Sequence, residues 1–100
     1  MTVFVTLDIE LKPEAADLFC DGFQAMLEDT VKFKGFRTIR VVRHTENQNR
    51  VFLFEEWDSV ADYETYIAFR TERGDMDMLA QIATSAKLDY WPTLVATAEV

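Results

Sequence analysis

The chain opens on strict alternation. Val3, Val5, Leu7, Ile9 and Leu11 are apolar and point one way, while Phe4, Thr6, Asp8 and Glu10 point the other. A period of two marks a strand with one buried face, so residues 3–11 are predicted as a half-buried strand. From Pro13 onward the period changes, and Leu18, Phe19, Phe23, Met26 and Leu27 recur at helical spacing. Pro13 suits a first helical turn, where its missing N–H is not needed, and Glu14 and Asp17 favour the positive end of the helix dipole. The first helix is therefore predicted from Pro13 to near Val31.

Gly35 breaks that pattern, and FRTIRVVRHT follows with β-branched residues alternating with arginines, which reads as a second strand with one wet face. Glu46-Asn47-Gln48-Asn49 is polar and turn-prone, and VFLFEEW then resumes an apolar, strand-forming run. Strands two and three are predicted to form a hairpin. Ser59 is placed to cap a second helix that runs through Val60, Tyr63, Tyr66, Ile67 and Arg70, with Asp62 three residues on as an acidic version of the capping box. Gly74 interrupts this helix. A further helical piece carries Met76, Leu79, Ile82, Ala83 and Ala86 on one stripe, and LDYWPTLVATAEV is predicted as the last strand, with Pro92 implying an edge position or a bulge.

Strand, helix, strand, strand, helix, strand is the split βαβ order, so the expected fold is α+β and ferredoxin-like. It comprises a four-stranded antiparallel sheet with helices on one face, in a single domain over residues 1–100. The third strand is apolar on both sides, with Phe52 and Phe54 opposite Val51, Leu53 and Trp57. Something must cover the second side, and another copy of the chain is the economical cover, giving a two-fold homodimer.

Composition narrows the function classes. One hundred residues make one core, and 49% hydrophobic with 28% charged residues describes a globular chain. A net charge of -8 argues against a nucleic-acid partner and against an anionic membrane surface. No apolar run reaches transmembrane length, and the alternating start lacks the basic lead of a signal peptide, so a cytoplasmic protein is expected. One cysteine and one histidine allow neither an internal disulfide nor a Cys/His zinc cluster within one subunit. Cys20 falls among apolar helical positions and reads as a small buried hydrophobe.

Few residues stand out as chemistry. His44, at the end of the second strand, is the one side-chain type whose unperturbed pKa lies near neutrality, which makes it the natural proton carrier. Glu55 and Glu56 alternate across the third strand, so they cannot act as an acid–base pair on one face. Asp8 and Glu10 share a strand face, but no histidine partner or Gly-rich loop joins them, and no metal is expected. Nucleotide-binding and hydrolase-elbow motifs are absent, so no cofactor is expected. The remaining constellation is the second helix, where Tyr63, Ile67 and Arg70 share a face with Tyr66 on its border. A phenol and a guanidinium among apolar side chains can orient a planar, oxygen-bearing aromatic molecule.

The first strand ending in ELKPE, the FKGFRTIR entry to the second strand, the EEWDSVADYETY junction and YIAFRTERG together resemble the antibiotic biosynthesis monooxygenase family. The most specific part is Glu55-x-Trp57 at a strand end, followed by Ser59 and an aromatic helix. The resemblance implies a dimeric α/β barrel with a substrate pocket between sheet and helices. It also implies a cofactor-independent monooxygenase, in which an electron-rich substrate loses a proton and itself reduces oxygen. Trp57 matches the family tryptophan, and Tyr63 a tyrosine that some quinone-forming members carry six residues later. These members also carry an asparagine where this chain has Leu53. The haem-degrading branch matches less well, since its asparagine, tryptophan and histidine positions look like Thr6, Tyr66 and Met76. The reading therefore takes His44 and Tyr66 as catalytic candidates, and Trp57, Tyr63 and Arg70 as substrate-binding. The alternative is a non-catalytic or regulatory dimer that binds a small metabolite in the same pocket.

Overall fold

A computed structural model describes residues 2–100. The elements run β1 (Val3–Leu11), α1 (Pro13–Thr30), β2 (Phe36–Arg43), β3 (Arg50–Trp57), α2 (Val60–Glu72), α3 (Asp75–Ile82) and β4 (Ala83–Trp91). All neighbouring strands pair antiparallel in the order β2-β3-β1-β4, so the architecture is the ferredoxin-like α+β sheet that the periodicity predicts. Among the described residues no helix is long and apolar enough to cross a membrane.

Local chemistry explains most boundaries. Pro13 occupies the first turn of α1, after an extended Lys12. Ser59 caps α2, its Oγ accepting the Asp62 backbone N–H at 3.1 Å. Gly35 has φ +86°, and a Cβ there would run into the Asp62 side chain, so only glycine lets the start of β2 lie this close to α2. The Asp58 N–H donates to the Gly35 carbonyl at 2.7 Å and ties the same corner.

The C-terminal region departs from expectation. The helical stripe predicts Ala83 and Ala86 within the last helix, but both lie in β4, opposite Leu11 and Ile9 of β1. The Ile82 carbonyl accepts the Lys12 N–H at 2.7 Å, which ends α3 and hands the next residues to the sheet ladder. The last strand likewise starts earlier than predicted and stops at Trp91, because Pro92 has no N–H to continue it. β4 is an edge strand, as that proline implies, and residues 92–100 belong to no strand or helix.

The helices cover one sheet face, toward which Val3, Val5, Ile9 and Leu11 of β1 and Val51, Leu53 and Trp57 of β3 point. Two core clusters form there. Val3, Val5, Trp57, Tyr63 and Tyr66 make one, and Ile9, Leu11, Ala16, Val51 and Leu53 the other. The opposite face carries Phe4 and Phe54, with ring centroids 5.4 Å apart, beside Trp91, whose Nε1 donates to Thr6 Oγ1 at 2.8 Å. Phe54 is 43% and Trp91 53% exposed, so this apolar face is uncovered within one chain.

Candidate functional site

The inward positions of β3 read Val51, Leu53, Glu55, Trp57, and Glu55 is the exception among hydrophobes. It is 3% exposed and flanked in the sheet by Val5 of β1 and Ile39 of β2. It sits at the seam between the two core clusters. Trp57 Nε1 donates to Glu55 Oε1 at 3.0 Å, and among the described residues this is the only hydrogen bond to the carboxyl. Burial pushes its pKa from 4.5 up to about 7, against the opposing pull of the Trp57 bond. At neutral pH the group is therefore poised between acid and base.

Glu55 borders a cavity of about 80 Å³. That is several times the roughly 15 Å³ a single water needs. Its floor is Leu7, Ile9, Ile39 and Leu53 of the sheet, and its walls are Phe19, Phe23 and Met26 of α1, Tyr63, Tyr66, Ile67 and Arg70 of α2, and Asp75, Met76, Met78, Leu79 and Ile82 of α3. Leu7, Tyr63, Ile67, Met76 and Leu79 also line an open cleft of about 660 Å³ between α2, α3 and β4. The chamber and the cleft share these walls, which makes the cleft the natural approach.

The residues singled out by sequence divide into groups. Tyr63 lines both spaces and is nearly buried, and burial, then the charges of Glu55 and Tyr90, push its phenol well above the ordinary range. It remains a neutral donor. Tyr66 and Arg70 belong to a closed network. Arg70 Nε donates to Tyr66 Oη at 2.9 Å, its Nη2 to the Met26 carbonyl at 2.8 Å and to Thr30 Oγ1 at 3.0 Å, and its Nη1 to Asp75 at 3.1 Å. Tyr66 Oη and Thr30 Oγ1 are 2.9 Å apart and hydrogen-bonded. Burial alone lowers the Arg70 pKa, but the bonds to Tyr66 and Asp75 outweigh it and the net effect is upward. The guanidinium therefore stays charged, with its hydrogen bonds directed inward.

Trp57 is fully buried, with its ring 5.1 Å from Tyr66, 5.7 Å from Tyr63 and 5.4 Å from Phe36, and its N–H given to Glu55. It shapes the site from behind. His44 lies in the β2–β3 turn, outside the cavity lining, with Nδ1 accepting the backbone N–H groups of Glu46 and Asn47 at 3.1 and 3.0 Å. Sequence reasoning sets Glu55 aside because it pairs it with Glu56. The signal that finds it is the same alternation that predicts the strand, a lone carboxylate at an inward position.

The sequence matches the antibiotic biosynthesis monooxygenase family over residues 2–68. The chain belongs to this family. Solved structures share its fold at low identity. SnoaB from Streptomyces nogalater, a cofactor-independent oxygenase, is 14% identical with a TM-score of 0.80, covering 96% of this chain and 95% of its own. A conserved protein from Methanosarcina mazei Go1 is 18% identical with a TM-score of 0.82 over 94% of both chains. Rv0793 from Mycobacterium tuberculosis is 15% identical, also at 0.82, over 98% of this chain and 100% of its own. No curated protein matches the sequence. At these identities the likeness to the solved structures is one of fold, and the contents of the cavity must speak for the chemistry.

Proposed function

We propose that this family member is a cofactor-independent monooxygenase that oxidises a small aromatic or quinol-like substrate in the cavity between sheet and helices. The observation that carries the reading is a mostly apolar cavity, opening toward the cleft, that holds one buried carboxyl whose second oxygen accepts no hydrogen bond among the described residues. In such a site a substrate is kept from water and its acidic proton has somewhere to go. The edge of the substrate reaches the chamber and its body lies in the adjoining cleft, with Tyr63 touching both. Trp57 lies behind the lining and supports Glu55, Tyr63 and Tyr66 without itself reaching the cavity, while Tyr66 and Arg70 hold the wall together, and His44 has no part in the chemistry. A homodimer completes the molecule, its contact formed by the outer sheet face around Phe54 and Trp91. Oxygen uptake with a panel of anthrones and hydroquinones tests the enzyme. The expected result is turnover above buffer, abolished by Ile67→Trp, which fills the chamber mouth; no uptake with any member of the panel sinks the reading.

Leu53 favours a second reading. It lines the chamber at the position where the quinone-forming members resembled by this chain carry an asparagine, so a polar contact to substrate is missing. A dimer that binds a small metabolite without turning it over fits this difference. Thermal stabilisation by panel members that show no oxygen uptake decides for it.

A further inference from the structure

Around Glu55, α2 presents Tyr63, Tyr66 and Arg70 and α3 presents Asp75, with Tyr90 of β4 packed against Tyr63, while β1 and β2 flank it with Val5 and Ile39. Tyr63 is held neutral by its burial, and the one cation, Arg70, is bound to Asp75, Tyr66, Thr30 and the Met26 carbonyl. Among the described residues the one cation that lines the cavity is therefore already paired, and it makes no bond to Glu55. An anionic ligand would meet a carboxylate in a mostly apolar space without a free counter-charge. A neutral ligand that gives up its proton meets no such penalty before the transfer.

We propose that Glu55 is a catalytic residue that accepts a proton from a neutral, weakly acidic ligand, a phenol or an activated methylene, and that Trp57 is its positioning residue. The indole N–H holds Oε1 and leaves the second oxygen to the cavity. A buried carboxyl near neutrality is matched to this task, being both ionised often enough to accept a proton and basic enough to keep it. The proton transfer stands on this geometry alone; only the oxidation of the resulting anion rests on the oxygenase reading. With dioxygen as oxidant, the balance for an activated methylene is simple. The ionised Glu55 takes one C–H proton, the carbanion reduces dioxygen and forms a C–O bond, and the peroxide anion takes the proton back from Glu55. Loss of water across the C–H and O–O bonds then leaves a ketone. One oxygen atom ends in the ketone and the other in water, with all electrons supplied by the substrate.

The test separates proton transfer from oxidation. Anthrone is incubated with the full chain in deuterium oxide without oxygen, and loss of its methylene proton signal is followed by NMR. The wild-type protein is expected to accelerate exchange, with a rate that rises to a plateau through a midpoint near pH 7. Glu55→Gln should lower the enzyme-dependent rate by about 100-fold or more. Trp57→Phe should keep exchange but move the midpoint upward, because the ionised carboxyl loses the Trp57 donor. Should Trp57→Phe not fold, NMR of the glutamate carboxyl carbons in the ligand-free wild type supplies a second reading, with one resonance titrating near neutrality and missing in Glu55→Gln. No acceleration by the wild type, unchanged exchange in Glu55→Gln, or no such resonance overturns the assignment. Exchange without oxygen uptake in air supports Glu55 and removes the oxygenase reading, whereas oxygen uptake that survives Glu55→Gln does the reverse.

Discussion

Glu55 is the residue whose environment departs furthest from what its chemistry prefers. A carboxyl that titrates at 4.5 in water and about 7 when folded holds its proton in the native state after the unfolded chain has lost it. The unfolded state therefore binds fewer protons across that window, and stability must fall as pH rises through it. The difference is worth roughly 3 kcal/mol at 1.4 kcal/mol per pH unit. Glu55→Gln keeps an oxygen for the Trp57 N–H and removes the charge. The variant should match wild-type stability near pH 4.5 and exceed it by about 3 kcal/mol above about pH 8, measured by urea unfolding across that range. Equal stability at both ends would mean that the carboxyl is solvated. Such a native cost, kept in a cavity wall, is what a group retained for chemistry looks like.

Among the elements, the corner between β2 and α2 positions the aromatic wall. Gly35 allows β2 to start against Asp62 in the first turn of α2, Ser59 caps the helix, and Tyr63 and Tyr66 then fall onto Trp57. Gly35→Ala meets both a left-handed backbone and the Asp62 side chain, so it should destabilise the fold by about 1–3 kcal/mol, read as a lower thermal midpoint. An unchanged midpoint would show that the corner is loose. The Arg70 network has a related role between helices. It joins Met26 and Thr30 of α1 to Tyr66 of α2 and Asp75 of α3, and so holds three helices around the cavity. Spacing alone reads Tyr63, Tyr66 and Arg70 as one ligand-facing set. All three line the cavity, but the polar groups of Tyr66 and Arg70 are bonded within the protein, because a guanidinium that is largely buried recruits whatever acceptors surround it.

For the whole molecule, the outer sheet face is the unfinished part. Phe4, Phe54, Val42 and Trp91 form an apolar surface that one chain leaves to solvent. The proposed two-fold contact buries it without touching the cavity on the other side of the sheet. Phe54→Glu should therefore turn a dimer into a monomer in light scattering while the thermal midpoint of the monomer stays measurable. A wild-type monomer at micromolar concentration would remove the proposal. The mutation places like charges across a self-complementary interface, which disfavours the pair more than it disfavours the subunit.

The fold class, the half-buried character of β1, the start of α1, the Ser59 cap and the edge position of β4 are all legible in the amino-acid order, because each depends on local periodicity or on one residue's backbone chemistry. Family membership is legible there too, through a motif carried on consecutive positions. Tertiary contacts set the rest. They moved the end of α3 and the start of β4, because Lys12 and β1 captured backbone groups that no local pattern reveals. They placed His44 in a turn and Tyr66 and Arg70 in an internal network. They also brought Glu55 to the cavity, because a carboxyl's burial is fixed by segments distant in sequence: β1, β2, α1, α2 and α3 together.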